Sequence, residues 1–350
     1  MPDRSNPVPF LENFMDLTTK YLGLEIKSPL VPSASPLSRS LDLCKALEDQ
    51  GAGAIIMWSL FEEALTAESE STARFLSEQH TGFAEASSFL PDHQDFPSGL
   101  EIYLENLRRL KEGLEIPVIA SLNGVTRGGW IRHAKELEQA GADALELNVY
   151  YVAGDPEETG AEVEERYLSL LQDLRDQIQI PINMKLSPSF SALANLVKRL
   201  EQAGADGVAL FNRFYQPDIQ IDSLRLRPSL HPSTSAEALL AMRWIALLYG
   251  RTKLSLGATG GVHTPEDAIK LLLAGADVVH LCSVLLDQGV GALGNIRQGI
   301  EQWMEEQSFE EVEDFRGRVS ALSVPNPAAF ERANYVQILD SYSHSSGVQV

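Results

Sequence analysis

The chain has 350 residues and carries 49 acidic against 28 basic side chains, a formal charge of −21. A surface this acidic repels phosphate backbones and anionic lipid heads, which excludes nucleic acid and membrane surfaces as expected partners; a local basic pocket can still admit a small anion. With 44% hydrophobic and 22% charged residues, the composition is that of a globular chain able to bury a large core.

Residues 1–16 contain no signal-like apolar run and read as an N-terminal extension. LTTKYLGLEIKSP (17–29) has the pattern of a hairpin. From there two kinds of strand alternate. One kind reads SPLVPSAS (28–35), IPVIASLN (116–123), IPINMKLS (180–187) and TKLSLGAT (252–259). The other closes a fourfold repeat: DQGAGAIIM (49–57), QAGADALEL (139–147), QAGADGVAL (202–210) and LAGADVVHL (273–281). Each repeat copy ends a helical run at glycine and continues into an apolar segment too short for a helix, which suits a strand buried on both faces.

Helical periodicity marks 104–114, 130–140, 161–177, 190–203, 235–249 and 264–274. Thr264-Pro265-Glu266-Asp267 is a helix start, with a capping hydroxyl, proline in the first turn and acids after it. Eight strands alternating with helices predict parallel βα units, and the even spacing favours closure into an α/β (β/α)8 TIM barrel over an open sheet. The expected barrel covers 17–310, with 311–350 as a C-terminal tail. Long connections at 59–100 and 212–233 leave the second and sixth strands at the mouth, where barrels carry substrate loops. No stretch approaches the ~20 apolar residues of a spanning helix. Two cysteines, Cys44 and Cys282, cannot staple such a chain, so a cytoplasmic protein is expected.

In a barrel the residues just past each strand face the active site. Here they are Ser33-Ala34-Ser35, Trp58-Ser59, Asn123, Asn148, Lys185, Asn212-Arg213, Thr259-Gly260-Gly261 and Cys282-Ser283. The set lacks the clustered His, Asp and Glu of a metal site and the facing carboxylates of a glycosidase. Small residues and amides suit a flat heterocycle across the mouth. Gly260-Gly261 and Cys282-Ser283 end the seventh and eighth strands, where barrels bind phosphate. Lys185, inside a buried strand, reads either as a salt bridge to Glu146 or as a cation beside an electron-rich ring atom. His263 and His280 read as structural, and Cys44 as a helix core residue.

The stretches ELNVYYVAG (146–154), NMKLSPSF (183–190) and LGATGGVHTPEDAIKLLLAGADVVHLCSVLLDQG (256–289) resemble the dihydroorotate dehydrogenase family, particularly its soluble class 1 members, over about residues 17–305. The resemblance implies an FMN-dependent oxidoreductase that moves a hydride from a CH–CH bond of dihydroorotate, or a related small planar acid, to the flavin in pyrimidine biosynthesis. It assigns flavin contact to Lys185, phosphate to Gly260 and Gly261 with Cys282 and Ser283 in the family's Gly-Thr positions, and flavin packing to Ser33, Ala34 and Ser35. Ser59, Asn123 and Asn148 complete the expected cofactor set, and Asn148, Asn212 and Arg213 the expected substrate set. Where the class 1 base is a cysteine, this chain has Tyr151; Ala153 stands at an asparagine position and Trp58 at a lysine. Tyr151 and Lys185 are therefore the expected catalytic residues. A homodimer is expected, with a redox partner subunit as a further possibility. Two alternatives stand beside this: a non-redox flavin or phosphate-ligand binding barrel or complex subunit, and a Schiff-base barrel lyase using Lys185.

Overall fold

The computed structural model describes residues 15–61, 99–123, 127–213, 216–227 and 231–331. In chain order its repeating units are β1 (Leu30–Pro32) and α1 (Leu41–Asp49), β2 (Ile55–Phe61) and α2 (Gly99–Gly113), β3 (Val118–Asn123) and α3 (Arg127–Gln139), and β4 (Ala144–Asn148) and α4 (Gly160–Arg175). They continue with β5 (Ile182–Leu186) and α5 (Leu193–Gln202), β6 (Gly207–Leu210) and α6 (Ala238–Leu248), β7 (Ser255–Thr259) and α7 (Pro265–Ala274), and β8 (Val278–Leu281) with α8 (Ser283–Gln288) and α9 (Gly291–Gln307). All eight strands run parallel, each pairing with the next from β2 through β8, and β8 pairs back to β1. Gly53 N–H bridges the remaining seam to Leu30 O at 2.9 Å. The expected (β/α)8 barrel is what the chain forms.

The fourfold repeat has a physical cause. In three copies an aspartate follows Gly-Ala and caps the start of the preceding strand. Asp143 accepts Val118 N–H at 2.7 Å, Asp206 accepts Ile182 N–H at 2.8 Å, and Asp277 accepts Leu256 N–H at 2.6 Å. Each carboxylate also holds a cation: Lys111, Arg175 and Arg316 respectively. Strand-end donors that would face the barrel floor unsatisfied are thereby paired. The first copy has Gly53 instead of aspartate, because a Cβ there would stand 1.9 Å from the Ser28 carbonyl oxygen. A glutamate three residues before the repeat glycine works alongside: Glu48, Glu138 and Glu201 accept N–H groups of the loops entering β3, β5 and β7.

The hairpin expected at 17–29 pairs Thr19–Tyr21 with Leu24–Ile26. Its Tyr21, Leu22 and Ile26 join Val31, Ile56, Ile119 and Val278 in one apolar cluster that plugs the floor. A second, larger cluster fills the layer between strands and helices. Near the mouth the barrel interior turns polar, with Ser33, Ser121, Glu146, Asn183, Lys185 and His280 all buried.

Strand β2 runs four residues past its expected end, to Phe61. Of the 59–100 connection, 62–98 lie outside the described residues, as do 1–14. The connection after β6 carries a small hairpin, Asp218–Gln220 with Arg225–Arg227, that exposes Ile219, Ile221, Leu224 and Leu226. Helix α9 has no counterpart in the periodicity reading. Packing continues past residue 310: Val312 and Phe315 are buried in the main core and Arg316 reaches Asp277.

Candidate active site

Lys185, Gly260 and Ser283 come from strand ends nearly a hundred residues apart in sequence and line one cavity of about 580 Å³ at the barrel mouth. That volume lies within the roughly 300–1,000 Å³ of small-molecule sites. Ser33, Ala34, Ser59, Asn148, Asn212, Arg213, Gly261 and Cys282 line it too. A larger groove, about 1,090 Å³, opens beside α2 and shares Ala34 and Ser59 with the cavity. Among the described residues it presents no buried ion pair and no left-handed glycine, so the smaller cavity is the chemical candidate.

Lys185 forms the expected ion pair with Glu146 and also lines the cavity. Its Nζ donates to Glu146 Oε1 at 3.2 Å and to Ser33 Oγ at 3.4 Å, and the residue is only 6% exposed. Glu146, fully buried, accepts Asn183 Nδ2 at its other oxygen at 3.3 Å. Each partner of this buried pair compensates the other's removal from water. These two bonds use two of the three Nζ donors.

Beside it, burial and then the Lys185 charge push His280 down to about 3, so its imidazole is neutral. Its Nε2 lies 3.4 Å from Tyr21 Oη in the floor hairpin, and Nδ1 has no partner among the described residues. Burial raises the Cys282 thiol while Lys185 works against it, so Cys282 stands as a thiol.

The two glycines after β7 differ in purpose. Both have positive φ, +93° and +77°. A Cβ on Gly261 would strike Ala238 N at 2.3 Å, so this glycine lets α6 approach. A Cβ on Gly260 would meet nothing within 4 Å. That empty cradle, a buried cation and an unpartnered imidazole nitrogen fit a planar, acceptor-rich group with an anionic tail.

Opposite, Asn212 Nδ2 donates to Asn148 Oδ1, joining the two expected substrate amides. Arg213 points partly away: its guanidinium holds Glu237 at 3.0 Å and the His231 carbonyl, tying down the 231–233 segment.

Three expected site residues do not join the cavity wall. Tyr151 donates its hydroxyl to Glu158 Oε2 at 2.6 Å, and Arg166 stacks 4.8 Å from its ring centroid. The bond to Glu158 raises its pKa above the ordinary tyrosine value, which leaves less tyrosinate to act as a base. Its neighbour Tyr150, by contrast, lines the cavity. Ser35 is buried at the start of the Pro36–Arg39 turn and borders the outer groove. Asn123 is buried at the end of β3 beside residues 124–126, which lie outside the described residues.

The family model for dihydroorotate dehydrogenase matches residues 16–304. The chain belongs to the dihydroorotate dehydrogenase family. The catalytic subunit of dihydroorotate dehydrogenase B (NAD(+)) from Pyrococcus abyssi is 28% identical over 308 residues, covering 86% of this chain and 98% of that one. The Methanosarcina acetivorans protein of the same name is also 28% identical, over 84% of this chain and 93% of its own. The NAD-dependent dihydropyrimidine dehydrogenase subunit PreA of Escherichia coli is 24% identical over 89% of this chain and 78% of its own. The expected family and oxidoreductase class stand. No described helix is long and apolar enough to cross a membrane, and no metal-type cluster occurs among the described residues.

Proposed function

We propose that the chain is an FMN-dependent oxidoreductase acting on a CH–CH bond of a small planar acid, dihydroorotate or a close relative, with a role in pyrimidine metabolism. The observation that carries this is the convergence of Lys185, Gly260 and Ser283 on one cavity. Lys185 and Ser33 would hold the ring system, with Ala34, Ser59 and Asn148 around it, and Gly260, Gly261, Cys282 and Ser283 the phosphate end. Bound FMN supplies a two-electron hydride acceptor. The protein positions it: Lys185, fixed by Glu146, offers an N–H to a ring atom that gains negative charge on reduction. Asn148 and Asn212 present amides to a planar acid, and Tyr150 lines the same cavity with an aromatic ring. Lys185 Nζ is engaged by Glu146 and Ser33, which supports this reading over a Schiff-base lyase.

One observation favours a second reading, a flavin-bearing subunit that does not itself oxidise dihydroorotate: the residue at the family's base position is turned to Glu158. Anaerobic titration decides between them. Bleaching of bound flavin by dihydroorotate supports the first; flavin that bleaches with dithionite but with no dihydropyrimidine supports the second. The named relatives are subunits, and a redox partner is part of this proposal, as is a cytoplasmic location. A homodimer is also proposed, for which the aliphatic face of the 218–227 hairpin is the contact surface; light scattering of the intact chain and of I219S/L226S tests it.

A further inference from the structure

One run of side chains ends on the cavity and is not needed to close the barrel. Ser233, in the connection after β6, donates its backbone N–H to Ser283 Oγ at 3.1 Å and its hydroxyl to the same oxygen at 3.0 Å. Behind it, His263 Nε2 lies 3.1 Å from Ser233 Oγ. His263 is itself fixed, because its backbone N–H donates to Asp267 Oδ2 at 3.0 Å in the cap of α7.

Counting hydrogens gives the run a direction. Ser233 has one O–H, and when Ser283 receives it the Ser233 oxygen is left to accept from His263, whose Nε2 then carries the hydrogen. Ser283 Oγ accepts twice, and its own O–H has no acceptor in reach among the described residues. Ser283 lines the cavity next to Gly260 and Gly261, so that O–H is a donor for whatever occupies this end. In the reverse direction Ser283 would give its hydrogen to Ser233 and present none. An anion in the cavity therefore selects the first order, in which each bond polarises the next. Asp287 also lines this end, and an anion held here needs such donors to offset its repulsion.

We propose that Ser233 and His263 are positioning residues for a tetrahedral anion, the phosphate monoester of the bound ligand, and that they act through Ser283. This rests on the flavin reading of the cavity and goes beyond it. Two side chains on separate loops, and not glycine backbone alone, set the grip on the phosphate.

Protein stripped of ligand is titrated with FMN and with riboflavin, which has the same ring system and no phosphate. Wild type is expected to prefer FMN. S233A and H263L are expected each to lose roughly tenfold in FMN affinity, the scale of one hydrogen bond to a charged acceptor, with riboflavin affinity unchanged. H263Q, which keeps an N–H near Nε2, should retain most of the FMN affinity. Equal losses for both flavins, or no loss of FMN, overturns the proposal. Wild type that binds both flavins equally overturns the phosphate end of the flavin reading itself, a result distinct from any variant's. Melting curves of the stripped proteins identify misfolding; if S233A does not fold, the contrast between H263L and H263Q carries the test.

Discussion

Replacing Lys185 with methionine removes the cavity-floor charge at nearly constant volume and leaves Glu146 buried without its cation. At 3.2 Å the pair's attraction is about 5 kcal/mol for an effective dielectric near 20. Removing one partner of such a pair costs about 3–5 kcal/mol, mostly the desolvation of the charge left behind. Lys185→Met is expected to destabilise by that amount in urea unfolding at neutral pH. Adding Glu146→Gln should recover most of the loss, since a neutral amide needs no counter-charge. A Lys185→Met protein within about 1 kcal/mol of wild type, or a double variant no better than the single, would refute the reasoning that this pair is a coupled buried unit.

The remaining predictions concern the floor, the glycines and the loop. His280 is held neutral down to about pH 3, while an unfolded histidine titrates near 6.5. Its contribution is therefore complete above pH 6.5 and lost as pH falls below it, by about 1.4 kcal/mol per unit; His280→Gln should flatten the dependence of urea midpoints on pH across that range. Gly261→Ala should cost more than about 2 kcal/mol, because strain adds to a clash with α6 backbone, whereas Gly260→Ala should cost about 1 kcal/mol and chiefly weaken FMN binding, read by melting curves and flavin titration. Asp206→Ala should cost about 1–3 kcal/mol by exposing an unpaired Ile182 N–H at a strand start. Tyr151→Phe should leave turnover nearly unchanged, while Tyr150→Phe or Tyr150→Ala should raise KM in steady-state assays.

Much of the fold is legible because barrel physics repeats itself. Alternating strand types and Gly-Ala turns recur at regular spacing, and Thr264-Pro265 with Gly275 marks both ends of α7, where the cap bond and left-handed C-cap are present. The purpose of the repeat aspartates was also written in the chain, in their fixed offset from each glycine, yet their partners Lys111, Arg175 and Arg316 lie on other elements and carry no local signal. Strand ends bring Lys185, Gly260 and Ser283 to one cavity, since parallel strands deliver their C-termini to one rim. Side-chain direction within a loop was not legible: one residue of offset separates Tyr150, facing the cavity, from Tyr151, facing Glu158. His280 and His263 looked structural because each sits beside ordinary packing residues. Only the tertiary arrangement brings His280 into the same cavity as Lys185 and His263 against Ser233.

The most direct measurement is the flavin content of the purified protein, read by visible absorption and by release of FMN on denaturation. The account predicts a yellow protein with close to one FMN per chain, or stoichiometric uptake of added FMN, and loss of that uptake in Lys185→Met. A colourless protein that ignores added FMN while folded would contradict it.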